Sequence, residues 1–209
     1  MTERIYKKNS QGFKDQLITN SVVLEQEHKN NRNMYIAYSD YGKPIDSVPH
    51  SWLIHVLQIY KLDPEIINSL QQLMKNWTNT LQIKVKNHRI ISDPICIQRG
   101  IYQGDSLSPL WFYLALKHLS YLLKRTKHVF GIHCCKQETQ RLNHLLYMDD
   151  IELYAAKHKQ LQELLRLTHT FSRDNKSYFG LKSAKYFALQ RGNWRSQTSQ
   201  QRMMTQWKP

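Results

Sequence analysis

Long apolar runs are missing from this chain of 209 residues: no stretch approaches the ~18 consecutive apolar residues that a membrane helix requires. The first residues, Met1 to Asn9, are polar and charged, which does not fit a secretory signal. Cysteine is scarce too, with only Cys96, Cys134 and Cys135. Three cysteines make no disulfide framework, and the adjacent pair lacks the spacing of a zinc site, so all three are expected to be reduced and structural. Acidic residues are the third shortage: sixteen Asp and Glu stand against thirty Lys and Arg, for a net charge of +14. That balance favours a polyanionic partner, of which nucleic acid is the usual one. The basic residues are spread along the chain (Lys7, Lys8, Lys84, Lys86, Arg89, Arg99, Lys124, Arg125, Lys127, Lys157, Lys159), which suits a surface tracking a phosphate backbone better than a targeting tag. No internal repeat is present. Hydrophobic residues make up 41%, enough for the core of one domain.

Periodicity and punctuation predict an α+β fold with short, mostly antiparallel strands. Helices are expected over Asp15 to Arg32, with Leu17, Ile18, Val22, Val23 and Leu24 as a ragged apolar stripe, and from Pro49 to Tyr60. Asp63 to Thr78 is a clearer helix, capped by Asp63, opened by Pro64, and carrying Ile66, Ile67, Leu70, Leu73, Met74 and Trp77 at helical spacing. Further helices fall over Leu107 to Leu123 and His158 to Phe179. Strands are expected over Met34 to Asp40, Val129 to Cys134 and Ala184 to Gln190, and a hairpin joins Leu81–Val85 to Arg89–Ile97 through a turn near Asn87-His88.

Two neighbouring carboxylates stand out in Tyr147-Met148-Asp149-Asp150, set between the apolar runs Leu142–Leu146 and Ile151–Ala155. Carboxylates at the tip of an apolar hairpin are costly unless a cation meets them. A hard divalent ion is the natural cation, since it takes carboxylate oxygens together with substrate phosphates. The plainer reading is a turn, because Asp is a common turn residue. Asp40 ends the first strand and could add a third carboxylate. In a flat strand Asp149 and Asp150 would face opposite sides, so one should join Asp40 directly and the other be reached by the turn. Between them lies Arg99-Gly100-Ile101-Tyr102-Gln103-Gly104-Asp105-Ser106-Leu107-Ser108-Pro109. Gly100 and Gly104 permit close backbone approach, Asp105 or Ser106 can cap the following helix, and a Gly-flanked loop at a helix start suits a nucleotide or template strand. A capped helix after a turn is the bland alternative.

In this order the segments resemble the reverse transcriptases of LINE-type non-LTR retrotransposons. Tyr38 to Trp52 is similar to the family's motif A, Arg99 to Pro109 to motif B, Tyr147 to Asp150 to motif C, and Phe179-Gly180-Leu181-Lys182 with Ala184-Lys185 to motif D. The resemblance implies an α+β right-hand palm over residues 13–191 with partial fingers and a fingers remnant over 1–12; the thumb that the family carries is expected to be missing here, and the polar composition of residues 192–209 predicts a disordered tail. It implies RNA-directed DNA synthesis from an RNA template, a DNA primer and deoxynucleotides, with no membrane partner and a nuclear site of action on chromosomal DNA. Asp40 and Asp149 would bridge two Mg²⁺ ions with Asp150 supporting, Mn²⁺ being a substitute, and Lys182 would assist the leaving group, with Lys185 competing for that role. Tyr41, Ile45, Arg99, Gly100, Gln103, Gly104, Tyr147 and Met148 would contact substrate or template. Ile45 replaces a residue that is usually aromatic in the family, which implies weaker exclusion of ribonucleotides. Pro44 and Ser39 depart from the pattern as well. A second reading of the same features is an inactive relic that binds nucleic acid through its basic surface.

Overall fold

The computed structural model describes residues 13–40, 44–86, 88–102, 104, 106–128, 130–133, 139–175, 185–190 and 193–196, with the backbone alone at 13, 40, 44, 132, 133, 139–141 and 194–196. In chain order the elements are α1 (Phe13–Lys29), β1 (Met34–Asp40), α2 (Pro44–Ser47), α3 (His50–Ile59), α4 (Pro64–Lys75), β2 (Thr78–Asn79), β3 (Gln82–Val85), β4 (His88–Ile91), β5 (Ile95–Cys96), α5 (Ser108–Arg125), β6 (Phe130–His133), β7 (Thr139–Leu142), β8 (His144–Tyr147), β9 (Asp150–Ala155), α6 (His158–Asp174), β10 (Lys185–Gln190) and β11 (Asn193–Ser196). The chain divides into two compact units. The first takes residues 1–42, 117–174 and 178–209, and the second takes 43–116 with 175–177.

The first unit is built on a five-stranded sheet in the order β11-β10-β1-β9-β8, every pair antiparallel. Strand β1 is central because it is apolar on both faces: Met34, Ile36 and Ala37 are buried to within 1% exposure, and β9 beside it buries Ile151, Leu153, Tyr154 and Ala155. One cluster joins Val23, Met34, Ile36, Phe130, Leu142, Leu145, Tyr154 and Leu189. Each such side chain contributes about 1.5–3 kcal/mol through removal from water. Helix α6 packs on β9 and β1 through Leu161, Leu164, Leu165, Thr168 and Phe171, spaced at helical period.

Helix α1 overturns the expected stripe. Leu17, Ile18 and Val22 are 46%, 61% and 39% exposed, while Gln16, Thr19, Val23 and Glu27 are buried. The helix turns a mostly polar face to the sheet because the groups it meets there are polar, as the site geometry below makes plain. Helix α6 stops at Asp174, short of the expected Phe179, and β11 pairs with β10 beyond the boundary expected at residue 192.

In the second unit α4 forms as its punctuation predicts. Asp63 accepts a hydrogen bond from the Glu65 amide at 2.8 Å, and Pro64 takes the first turn. Its apolar residues are only partly used, with Ile67 and Met74 buried but Ile66 and Leu73 about half exposed. Pro49 precedes α3 rather than opening it. The expected second arm of the hairpin breaks into β4, which pairs with β3, and β5, which pairs with β2. Cys96, expected to be structural, is exposed on β5.

Candidate active site

The hairpin of the first unit carries the paired carboxylates. Leu145, Leu146 and Ile151 are buried on its arms, so the apolar runs on either side anchor it in the sheet. Tyr147 and Asp150 are register partners, and Met148 with Asp149 makes the two-residue turn. Met148 adopts a φ of +49°, the left-handed conformation that a two-residue hairpin turn demands. Met148 and Asp150 are exposed, and Tyr147 and Asp149 half-buried.

Strand β1 brings the third acid to the same place. Its register on β9 runs Tyr38↔Glu152, Ser39↔Ile151 and Asp40↔Asp150. Residues directly opposite in an antiparallel pair lie on one face, so Asp40 and Asp150 share a face with Tyr38 and Glu152, and Asp149 sits one residue away in the turn. Like charges directly opposite one another destabilise a sheet. Two acids at opposed register positions of β1 and β9 are a placement that suits a divalent cation. Among residues with described side chains no group of three potential ligands gathers around a metal position; Asp40 is described by its backbone only.

Behind the hairpin, a cavity of about 510 Å³ is lined by Gln16, Tyr38, Tyr147, Asp150, Glu152 and Lys185, with apolar walls between them. Helix α1 closes one side of it by hydrogen bonds to β8, β1 and β9. The Gln16 side-chain amide donates to the Leu146 carbonyl on β8. Asn20 spans two strands: its amide donates to the Tyr38 hydroxyl on β1 at 3.4 Å, and its carbonyl lies 3.1 Å from the Tyr154 hydroxyl on β9. Tyr154 also contacts the Glu152 carboxyl. Burial raises the pKa of Glu152 above the usual carboxylate range, the Tyr154 hydrogen bond opposes this, and the Asp150 charge adds to it. Burial likewise pushes both Tyr38 and Tyr154 upward.

The base of the hairpin is fastened by two polar residues in an otherwise apolar run. Asn143 donates to the Leu123 carbonyl at 2.6 Å and to Thr126 Oγ1 at 3.0 Å, both at the end of α5. His144 is fully buried, with Nδ1 2.6 Å from Asn143 Oδ1 and Nε2 2.7 Å from Ser120 Oγ. A carbonyl oxygen can only accept, so Nδ1 carries the proton and Nε2 accepts from the serine hydroxyl. Burial, and then the Lys124 charge, lowers the His144 pKa to about 3, which keeps the ring neutral.

The glycine loop belongs to the second unit and is tied to the segment that follows Asp40 in motif A. The Gly100 amide donates to the Val48 carbonyl at 2.9 Å and the Ile101 amide to the Ile45 carbonyl at 3.0 Å. His50 Nε2 lies 2.8 Å from the Gly100 carbonyl, so that nitrogen donates. Pro49 and Arg99 form an isolated bridge. Trp77 packs beneath, edge-on to His50 at 5.0 Å and Tyr102 at 4.8 Å. Gly100 holds φ +92° and Gly104 φ +93°, so both positions use the conformational freedom that glycine alone supplies cheaply. At the start of α5 the Ser108 hydroxyl donates to the Tyr102 carbonyl; Asp105, one of the two expected caps, lies outside the described residues. Ile45 is half-buried in α2, and Arg99 and Gly104 are exposed.

Tyr41, Gln103 and Lys182 lie outside the described residues. Lys185 stands opposite Tyr38 at the start of β10 and reaches the cavity. The residues that sequence reasoning passed over are Gln16, Asn20, Glu152 and Tyr154. The signal was present for the first two: Gln16, Asn20, Val23 and Glu27 recur at helical spacing and define one face.

Comparison with known proteins adds a second line. Residues 1–198 match the family described as reverse transcriptase (RNA-dependent DNA polymerase). The chain is 28% identical over 160 residues to the retrovirus-related Pol polyprotein from the type-2 retrotransposable element R2DM of Drosophila melanogaster, covering 77% of this chain and 14% of that protein. It is 28% identical over 146 residues to the R2 Pol polyprotein of Nasonia vitripennis, covering 69% of this chain and 13% of that one. The chain thus spans about one seventh of these relatives. Among solved structures, telomerase from Candida tropicalis, in apo form truncated from the C-terminal domain, aligns with a TM-score of 0.55 at 14% identity, covering 87% of this chain and 39% of that one. At that identity the likeness speaks for the fold, an α+β reverse transcriptase palm.

Proposed function

The chain belongs to the reverse transcriptase family, and on that footing we propose that it is a domain of the R2 non-LTR retrotransposon type that extends a DNA primer along an RNA template by adding deoxynucleotides. One observation carries the reading: the register that sets Asp40 opposite Asp150, with Asp149 beside them in a turn held at positive φ. Three carboxylates there suit two divalent ions, Mg²⁺ or Mn²⁺, since hard cations take carboxylate and phosphate oxygens. Bound ions would supply a lowered pKa at the primer 3′-hydroxyl and countercharge for the departing pyrophosphate. Asp40, Asp149 and Asp150 hold that charge in place. Helix α1 keeps the strands bearing Asp40 and Asp150 in fixed relation through Asn20. Lys185, on the face of Tyr38 and Glu152, is the described candidate to protonate the leaving group, with Lys182 the other. The exposed Arg99 and the loop around Gly100 and Gly104 suit template or nucleotide phosphates. The basic balance of +14 fits RNA and DNA as partners, and a nuclear site of action would follow from chromosomal DNA as the target. No described helix is long and apolar enough to cross a membrane.

Primer extension on an RNA template with deoxynucleotides and Mg²⁺ or Mn²⁺, run beside Asp149→Asn, tests the proposal. Extension by the wild type that the variant lacks supports it. Absence of extension by the wild type with either ion, on a preparation that binds the hybrid, rejects it and leaves the binding relic.

A further inference from the structure

The second unit presents an element that its own core does not account for. All four residues of β3 and all four of β4 are exposed. The ribbon is closed at its base by Leu81 and Ser92, whose amides donate to the Ser92 hydroxyl at 3.0 Å and the Leu81 carbonyl at 2.9 Å. Lys86 begins the turn with φ +50°. Register pairs Gln82↔Ile91, Ile83↔Ile90, Lys84↔Arg89 and Val85↔His88. Alternation then sorts the ribbon into one face bearing Lys84 and Arg89 and an opposite face bearing Ile83, Ile90 and Val85.

Two features of this ribbon are unfavourable in isolation. A lone two-stranded hairpin is marginal in water, and like charges directly opposite one another weaken a strand pair. Lys84 and Arg89 are such a pair, and no ion pair among the described residues involves either. The surrounding sequence reinforces the sign: between residues 75 and 99 five Lys and Arg (Lys75, Lys84, Lys86, Arg89, Arg99) stand against the single acid Asp93. A polyanion laid on the Lys84/Arg89 face would turn the repulsion into attraction and order the ribbon at once.

We propose that the Lys84/Arg89 face of the β3–β4 hairpin binds the phosphate backbone of a nucleic-acid duplex, independently of base sequence. The inference rests on the nucleic-acid reading above but concerns a surface outside the four motifs. Contacts of this kind position a protein on a duplex and make its affinity depend on salt.

The test compares wild type with Lys84→Gln/Arg89→Gln and with Ile83→Thr/Ile90→Thr, measuring affinity for an RNA–DNA hybrid across a salt series. Melting curves and sedimentation of all three proteins accompany it. Each phosphate contact contributes roughly one to the slope of log K against log salt. The Lys84/Arg89 variant is expected to bind several-fold more weakly at low salt, with a slope shallower by about 2. The Ile83/Ile90 variant should keep the wild-type slope. An unchanged slope in the Lys84/Arg89 variant, with tight wild-type binding, overturns the hairpin assignment and leaves the polymerase reading standing. Loss of hybrid binding confined to the Ile83/Ile90 variant overturns it in favour of the apolar face, and loss of self-association confined to that variant, with an unchanged salt slope in the Lys84/Arg89 variant, overturns it in favour of a second copy of the chain. A wild type that binds no hybrid overturns both.

Discussion

Gly100 approaches the backbone of Asp46 so closely that a methyl group added to it would lie 3.2 Å from the Asp46 carbonyl oxygen and 3.3 Å from its Cα. The obstruction is main chain, which cannot swing aside as a side chain does. Motif B thus meets motif A through a contact tighter than most Cβ atoms keep, so a side chain at position 100 would require the Asp46 backbone to give by a few tenths of an ångström. Gly100→Ala is expected to lose about 1–3 kcal/mol, from positive φ and from the crowding together. Gly104 has the same φ but nothing within 4 Å, so Gly104→Ala should lose only the strain component, about 1 kcal/mol. Chemical denaturation of the two variants checks the order; equal losses would show that Asp46 yields freely.

His144 supplies a pH dependence whose sign is fixed by its environment. The folded state keeps the ring neutral down to about pH 3, whereas an unfolded chain protonates it near 6.5. Between those values the unfolded state binds the extra proton, so stability is full above about pH 6.5 and falls as pH drops. The expected loss is about 1.4 kcal/mol per pH unit below that point. Melting temperature followed from pH 7 to pH 4 should decline more steeply in the wild type than in His144→Gln, which has no titrating group there. Parallel curves would mean that the ring is not buried as a neutral acceptor of the Ser120 hydroxyl.

Most of what could be read from the chain was read where a residue's own chemistry decides its local structure. Met34 to Asp40 is a strand with those very bounds, and Asp63 caps α4 with Pro64 behind it, because β-formers and capping groups act over a few residues. The carboxylate hairpin was legible for the same reason. What stayed hidden was decided by tertiary partners. Leu17, Ile18 and Val22 look like the inner face of α1, yet the acceptors of β8 and the hydroxyls of Tyr38 and Tyr154 select Gln16 and Asn20 instead. Pairing of Asp40 with Asp150 rather than Asp149 is a matter of register, which depends on the whole sheet.

That inverted helix face yields a contrast of its own. Ile18 is the larger apolar side chain, but at 61% exposure its replacement by Ala should change stability within about ±0.5 kcal/mol. Asn20→Ala removes one group that serves two tyrosine hydroxyls and should cost about 1–3 kcal/mol. In a primer-extension assay Asn20→Ala should also lower the turnover rate more than the affinity for hybrid, since the residue braces the strands of Asp40 and Asp150 through Tyr38 and Tyr154. Urea titration of both variants settles the stability half; a greater loss from Ile18→Ala would restore the apolar face to the core.

Opposed carboxylates make the response to metal readable in two signs. With no metal present, Asp150→Asn removes one of two like charges set opposite each other on β1 and β9, so the variant should melt higher than the wild type. With Mn²⁺ or Mg²⁺ added, the wild type gains RT ln(1 + [metal]/Kd), about 2.7 kcal/mol at a hundredfold excess over Kd. The variant, lacking a ligand, should gain much less, so the order of melting temperatures should reverse as metal is titrated in. Asp149→Asn should blunt the gain as well, with a smaller rise at zero metal because the turn places it away from direct opposition to Asp40. A variant that melts lower in the absence of metal, or gains as much from it as the wild type, would mean that the ion is held by other groups.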